Sequence, residues 1–117
     1  MTEDDMTENN NKPVRQEALE EAARLISQDR AADYGPVDQN FTRIAAGWAV
    51  IFGVPIDTWQ VALACDWIKT ARIIANPFSQ ATKDSWVDKI GYSALGAEES
   101  ERLKVVMAEL VAMREKK

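Results

Sequence analysis

Apolar side chains recur along this chain at the three- and four-residue spacing of an α-helix, and no segment alternates with the two-residue period of a strand. The first helix is predicted to run from Pro13, which suits the first helical position, to about Arg30. A loop with two strong breakers follows at 32–36. The second helix is predicted over 37–52 and ends at Gly53.

A third helix begins at Asp57 or Thr58, either of which can cap it, and runs through Ala75. Its residues are apolar on almost every side, which predicts a position at the centre of the structure. Four Trp and this nearly all-apolar helix would bury more surface across a symmetric interface than within one small domain. We therefore expect a homo-oligomer, a homodimer or homotetramer.

The fourth helix, capped by Ser79 or Thr82, is predicted to run to about Ala94, and Gly96 separates it from a fifth. The apolar positions of the fifth helix are Leu103, Val106, Met107, Leu110 and Met113. Together these segments predict an all-α fold, a compact bundle of four to five helices.

Charge and composition divide the chain into an acidic tail and one domain. The net charge is −5, and residues 1–12 contribute four acids and one Lys. These residues hold few core formers, so we expect a disordered tail, followed by a single helical domain over 13–117. The domain has no basic excess, which argues against a nucleic-acid polymer as partner.

The residue inventory excludes several kinds of site. The chain has no His and one Cys, so a catalytic triad, a His-ligated metal and an internal disulfide are all excluded. The longest apolar stretch, 44–56, is interrupted by two Gly and a Pro, and the N-terminal residues are acidic where a signal peptide would be basic. We expect no membrane partner and a cytoplasmic location in which Cys65 stays reduced.

Two polar stripes stand out on otherwise apolar helices. Asp66, Lys69 and Arg72 recur every three residues on the third helix, and Asp84 and Asp88 share one face of the fourth. If these helices pack antiparallel, the stripes face a common space. Aspartates can hold Mg²⁺, and a nearby Lys and Arg can hold the phosphates that the metal bridges. The sequence therefore predicts a site with the carboxylates and cations that phosphate-ester or pyrophosphate chemistry requires.

Structural explanations exist for each of these residues. Asp84 can simply stabilise the first turn of its helix, Asp88 can be solvated beside Lys89, and Asp66 can form a surface pair with Lys69. The Trp residues are more often core or interface than a stacking surface, and Trp67 and Trp86 are the best candidates for stacking a base because they lie beside the polar stripes. Gly91, in mid-helix, indicates close packing of a helix or close approach of a ligand.

Several short motifs occur together in a characteristic order. They are Asp33-Tyr34-Gly35, Gln39-Asn40-Phe41, Ile44-Ala45 with Trp48, Lys69 with Arg72, Asp84-Ser85-Trp86-Val87-Asp88 and Gly91-Tyr92. Over residues 17–97 this order resembles small phage and prophage proteins grouped with the MazG-like all-α nucleotide pyrophosphohydrolases. Such proteins convert a nucleoside triphosphate to the monophosphate and pyrophosphate, use Mg²⁺ held by carboxylates of two adjacent helices, and form dimers or tetramers.

The resemblance implies roles for particular residues. Asp84, Asp88 and Asp66 would bind Mg²⁺, and Asp88, Asp84 and Lys69 would carry catalysis. Substrate contacts would come from the following residues: Tyr34, Asn40, Trp67, Lys69, Arg72, Trp86 and Tyr92.

The chain departs from the MazG metal pattern of Glu-x-x-Glu on one helix and Glu-x-x-Asp on the next. With Asp88 at the final position, Ser85 stands where a Glu is expected, and Asp66 and Lys69 replace the two Glu of the preceding helix. Two of the four ligand positions are therefore lost.

Three functions follow from these observations. The first is Mg²⁺-dependent hydrolysis of a (deoxy)nucleoside triphosphate, in the host cytoplasm if the protein is phage-encoded. The second is a catalytically silent protein that sequesters or senses a nucleotide, including a host defence signal, through Lys69 and Arg72. The third is a helical phage adaptor without a ligand.

Overall fold

A computed structural model describes residues 11–29 and 37–116, and these residues form helices without strands. We number the helices α1 to α4. They are α1 (Val14–Arg24), continued by a π-helical turn (Leu25–Asp29), α2 (Val37–Phe52), α3 (Thr58–Ala75) and α4 (Gln80–Glu115). The predicted all-α class is confirmed. None of the helices in the described ranges is both long enough and apolar enough to span a membrane.

Local chemistry explains where α2 ends and α3 begins. Gly53 has a φ of 69°, a left-handed conformation that glycine adopts without strain, and its N–H donates to the Ala49 carbonyl at 2.9 Å. At the start of α3, the Gln60 side chain accepts a hydrogen bond from the Asp57 N–H at 2.7 Å. Pro13 precedes α1 as its N-cap, one position earlier than predicted, and its carbonyl accepts from the first turn.

The core lies where α2, α3 and α4 meet. Its buried residues are Phe41, Ala45, Val61, Ala62 and Leu95. Helices α3 and α4 run antiparallel, since Ala62, Asp66 and Lys69 of α3 approach Gly96, Lys89 and Asp88 of α4 in reverse order. A Cβ built on Gly96 would lie 3.1 Å from the Ala62 Cβ, and one on Gly91 would lie 3.1 Å from the Ile26 Cγ2. Both glycines therefore permit close packing, which for Gly91 is one of the two roles that the sequence indicated.

The separation of a fourth and a fifth helix at Gly96 is wrong. A single helix of 36 residues, α4, passes through Gly96 without interruption. A glycine inside a helix lowers its stability by about 1 kcal/mol relative to alanine but does not by itself end it. Strong helix formers surround Gly96 and no Pro follows, and the contact with Ala62 offsets the low propensity.

The expectation that α3 is central on every side is also wrong. One face of α3 packs on the core, but Leu63, Trp67 and Ile74 on its other faces are 60%, 69% and 71% exposed. The described helices cover α3 only from the sides of α2 and α4. An apolar helix surface needs neighbours on every side to be buried, and the helices that the structure describes do not supply them.

Replacement of Gly96 by alanine tests the close approach of α3 and α4. We expect Gly96→Ala to lower the free energy of unfolding by about 1 kcal/mol, because overpacking against the rigid Ala62 methyl outweighs the gain in helix propensity. The measurement is urea unfolding followed by circular dichroism.

The matched control is Gly47→Ala in α2, where no atom lies within 4 Å of an added Cβ. This change should raise the free energy of unfolding by about 0.5 to 1 kcal/mol. Equal stabilisation by both substitutions would contradict the close contact at Gly96.

Candidate functional site

An open groove of about 530 Å³ lies between the C-terminal end of α3 and the N-terminal end of α4. Four of the residues predicted for phosphate or metal contact line it together: Lys69, Arg72, Asp84 and Asp88. The antiparallel packing of α3 and α4 brings Lys69 and Arg72 to the same place as the two aspartates, as the sequence predicted for this part of the stripes. We call this space the phosphate groove, after the ligand that the sequence analysis leads us to expect there.

Lys69 and Asp88 connect the two walls of the phosphate groove. The Lys69 Nζ lies 3.0 Å from the Asp88 Oδ2, and the two side chains are 17% and 35% exposed. Because the two side chains are partly buried, water and salt screen their attraction less than they screen a surface ion pair. Arg72 and Asp84 line the same groove and have no ion-pair partner among the described residues. One cation and one carboxylate are thus available to a ligand.

Asp66 lies outside the phosphate groove. Its two carboxylate oxygens are 3.0 and 3.1 Å from the Lys89 Nζ, which also donates to the Thr70 Oγ1 at 2.5 Å. The predicted metal set of Asp66, Asp84 and Asp88 is therefore not assembled in this structure. The alternative surface pair of Asp66 with Lys69 is also absent, because each residue pairs across the helix interface instead.

The N-terminus of α4 forms one end of the phosphate groove. Ser79 is the N-cap, as the sequence predicted, and the hydroxyl of buried Thr82 donates to the Asn76 carbonyl and closes the turn between α3 and α4. The first N–H groups of a helix have no partner within the helix and carry its positive dipole end. Ala81 lines the groove in this first turn. Asp84 lies beyond the first turn, so a favourable interaction with the helix dipole explains its presence less well.

Ser85 is a groove residue whose contribution the sequence did not reveal. It is 5% exposed, lines the phosphate groove, and its hydroxyl has no hydrogen-bond partner in the part of the chain that the structure describes. A buried hydroxyl without a partner is destabilising by about 1–3 kcal/mol unless water or a ligand satisfies it. The sequence presented Ser85 only as a missing Glu, and the one available signal was its place between Asp84 and Asp88.

Two carboxylates in the groove bear on metal binding. No group of three acidic, Cys or His side chains suited to a metal occurs within residues 11–29 and 37–116. Asp84 and Asp88 stand one helical turn apart in the groove. This donor set fits Mg²⁺ held by one or two carboxylates together with substrate phosphates and water, and it does not form an all-protein cage.

The aromatic residues proposed for base stacking lie elsewhere. Trp86 is 53% exposed in a second groove, of about 690 Å³, which runs between α1 and α4 and contains Arg15, Lys83 and Lys89. Trp67 is exposed and lines neither groove.

The remaining predicted contact residues are also not in the phosphate groove. Tyr92 packs against the core, and Asn40 lies near the start of α2. Tyr34 falls outside the described residues.

Comparison with known proteins supports a family but not an activity. No curated protein and no solved structure matches the chain. Residues 17–100, well over half of the chain, match the family described as a domain of unknown function, DUF6378, and the protein belongs to this family.

Proposed function

We propose that this protein binds a nucleotide through its phosphates in the phosphate groove. The observation that carries the proposal is the convergence of Lys69 and Arg72 with the N-terminus of α4 in a single groove. Helix N-termini and basic side chains are the two groups that most often hold phosphates, and an arginine fork matches phosphate oxygens in a bidentate manner. The MazG-like relationship stays a prediction, because the matched family has no assigned function.

Charge balance in the groove favours a small anion over a polymer. Two cations and two carboxylates line it, so it carries no net charge, and the body of the domain has no basic stripe. A phosphate that displaces Asp88 would form a charge-assisted hydrogen bond with the partly buried Lys69. The buried Ser85 hydroxyl can donate to the same ligand. A free nucleotide fits this groove and the expected cytoplasmic setting better than a nucleic-acid backbone does.

Removing either cation should weaken binding. We expect Arg72→Gln to weaken the affinity for nucleoside triphosphates about ten- to hundredfold and Lys69→Gln about tenfold, because each removes a charge-assisted contact. The loss for Lys69 is smaller because phosphate must first compete with Asp88 for it. The measurement is isothermal titration calorimetry with the four ribo- and four deoxynucleoside triphosphates in EDTA.

Lys83→Gln is the matched control, since Lys83 lines the Trp86 groove on another face of α4. Its affinity should stay within about twofold of the unsubstituted chain. Loss of binding in Lys83→Gln with retention in Arg72→Gln would move the site to the other groove and overturn the proposal.

A second candidate function is Mg²⁺-dependent hydrolysis of the bound triphosphate. The observation in its favour is that Asp84 and Asp88 line the groove that holds the two cations. These carboxylates would hold the ion, which would supply charge neutralisation on the phosphates. Lys69 and Arg72 would orient the phosphate chain and stabilise the negative charge that develops on it.

Asp88→Asn separates binding from hydrolysis. We expect this variant to keep or increase its affinity for nucleotide in EDTA, because Lys69 is released from its ion pair. We expect it to lose Mg²⁺-dependent pyrophosphate release by at least about a hundredfold if the chain is an enzyme. Both quantities are measured on the same preparation, by calorimetry and by a pyrophosphate assay.

The control for this experiment is Asp66→Asn, which breaks the other cross-helix pair but leaves the phosphate groove intact. Turnover by Asp66→Asn at the unsubstituted rate supports a site built on Asp88 and Asp84. Binding without pyrophosphate release by the unsubstituted chain would exclude the hydrolase and leave the binding function in place.

A further inference from the structure

The Trp86 groove between α1 and α4 is mostly apolar and open. In the part of the chain that the structure describes, it shares no lining residue with the phosphate groove. Its uncharged lining residues are Val14, Ala18, Trp86, Ile90 and Ser93. Val14 and Trp86 are 69% and 53% exposed, so much of their apolar surface faces the groove or solvent. An apolar concavity of about 690 Å³ with an exposed aromatic ring is typical of a small-molecule site.

Cations outnumber carboxylates in the Trp86 groove. Arg15, Lys83 and Lys89 line it with one acid, Asp66, so it has a net charge of +2 in a chain whose net charge is −5. Lys89 is held by Asp66 at 3.0 Å. Arg15 of α1 and Lys83 of α4 have no ion-pair partner among the described residues. These two side chains are therefore available to an anion that enters the groove.

The spacing along α4 gives the Trp86 groove a charged end and an apolar end. Lys83, Trp86 and Ile90 follow one another at intervals of three and four residues, so they lie on one face of the helix. A ligand stacked on the indole of Trp86 would have a cation at one end and an aliphatic side chain at the other. This arrangement fits a molecule with an apolar ring and one acidic group.

The lining favours a simple aromatic ring over a nucleobase. Ser93 is the single uncharged polar side chain in the described lining. A bound base would need several hydrogen-bond partners for the polar atoms at its edge, and apolar walls leave such atoms without a partner. An aromatic hydrocarbon ring makes no such demand, and its burial against Trp86 and Ile90 is favourable.

We propose that the Trp86 groove binds a small aromatic carboxylate. The ring stacks on the Trp86 indole, and the carboxylate lies between Arg15 and Lys83. A guanidinium pairs with a carboxylate through two parallel hydrogen bonds, and the lysine adds a second charge-assisted contact. The site does not rest on nucleotide binding, because Lys69 and Arg72 line the other groove.

A matched pair of probes tests the ligand class. We expect 1-naphthoate to shift the NMR signals of the Trp86 indole N–H and of the Ile90 and Ser93 amides in the ¹⁵N-labelled full chain. The changes should saturate with a dissociation constant below about 1 mM, which is ordinary for a ligand of this size. The uncharged isostere 1-naphthamide should bind at least about fivefold more weakly, because it forms no charge-assisted contacts.

Substitutions test the individual contacts. We expect Trp86→Leu to weaken naphthoate binding about tenfold, read from the Ile90 and Ser93 amides, because the stacking surface is lost. Arg15→Gln and Lys83→Gln should each weaken it about threefold. Circular dichroism verifies that these variants remain helical.

The controls are Trp67→Leu and Arg72→Gln. Trp67 is exposed and lines neither groove, and Arg72 lines the phosphate groove. The affinity of both variants for naphthoate should stay within about twofold of the unsubstituted chain.

Four results would overturn the proposal. The first is the absence of saturable shifts at up to about 10 mM naphthoate. The second is equal affinity for the amide and the carboxylate, and the third is equal weakening by Trp67→Leu and Trp86→Leu. The fourth is displacement of naphthoate by a nucleoside triphosphate, which would assign the groove to the nucleotide.

The acidic N-terminal segment is the alternative occupant that the same assay detects. Glu3, Asp4, Asp5 and Glu8 precede α1, whose first residues line the groove. If these acids occupy the groove, their joint replacement by Gln and Asn will tighten naphthoate binding about tenfold or more, since a competing anion is removed. That result would overturn a free carboxylate as the occupant, and unchanged affinity would support it.

Discussion

The close antiparallel contact between α3 and α4 is the constraint on which the rest of the structure depends. Gly96 lets the backbone of α4 approach Ala62, and the same packing fixes which polar residues of the two helices meet. Lys69 reaches Asp88, and Lys89 reaches Asp66, on two sides of one interface. A side chain at position 96 would push the two helices apart at the core. The ion pairs and the groove depend on the short distance between the helices that Gly96 permits.

The two ion pairs also decide which charges remain for a ligand. Both carboxylate oxygens of Asp66 accept from Lys89, which also donates to Thr70, so Asp66 belongs to the helix interface rather than to the groove. Arg72, Asp84, the α4 N-terminus and the hydroxyl of Ser85, which has no partner among the described residues, remain available in the groove. This combination fits phosphate oxygens directly, whereas a metal would have to share Asp88 with Lys69. Binding of phosphate is therefore better supported than metal-dependent chemistry.

Helix positions were predictable from the sequence wherever strong local signals exist. The 3.6-residue apolar period, the break at Gly53 and the capping residues at 57–58 define the bounds of α2 and the start of α3 almost to the residue. Gly96 was misread because a helix-breaking propensity and a close-packing role look identical in one sequence. The convergence of Lys69, Arg72, Asp84 and Asp88 followed from antiparallel packing, but the loss of Asp66 to Lys89 depends on helix rotation, which spacing alone does not specify. The burial of Ser85 depends on the same rotation.

A phosphate ligand held by the groove should perturb the amides at the start of α4 first. The most direct measurement is a titration of the ¹⁵N-labelled full chain with a nucleoside triphosphate in EDTA, followed by two-dimensional NMR. The account predicts chemical-shift changes at the backbone N–H groups of Gln80 and Ala81 and at the Arg72 side chain, saturating together with one affinity. Unchanged signals at these positions, or changes confined to the Trp86 groove, would contradict it.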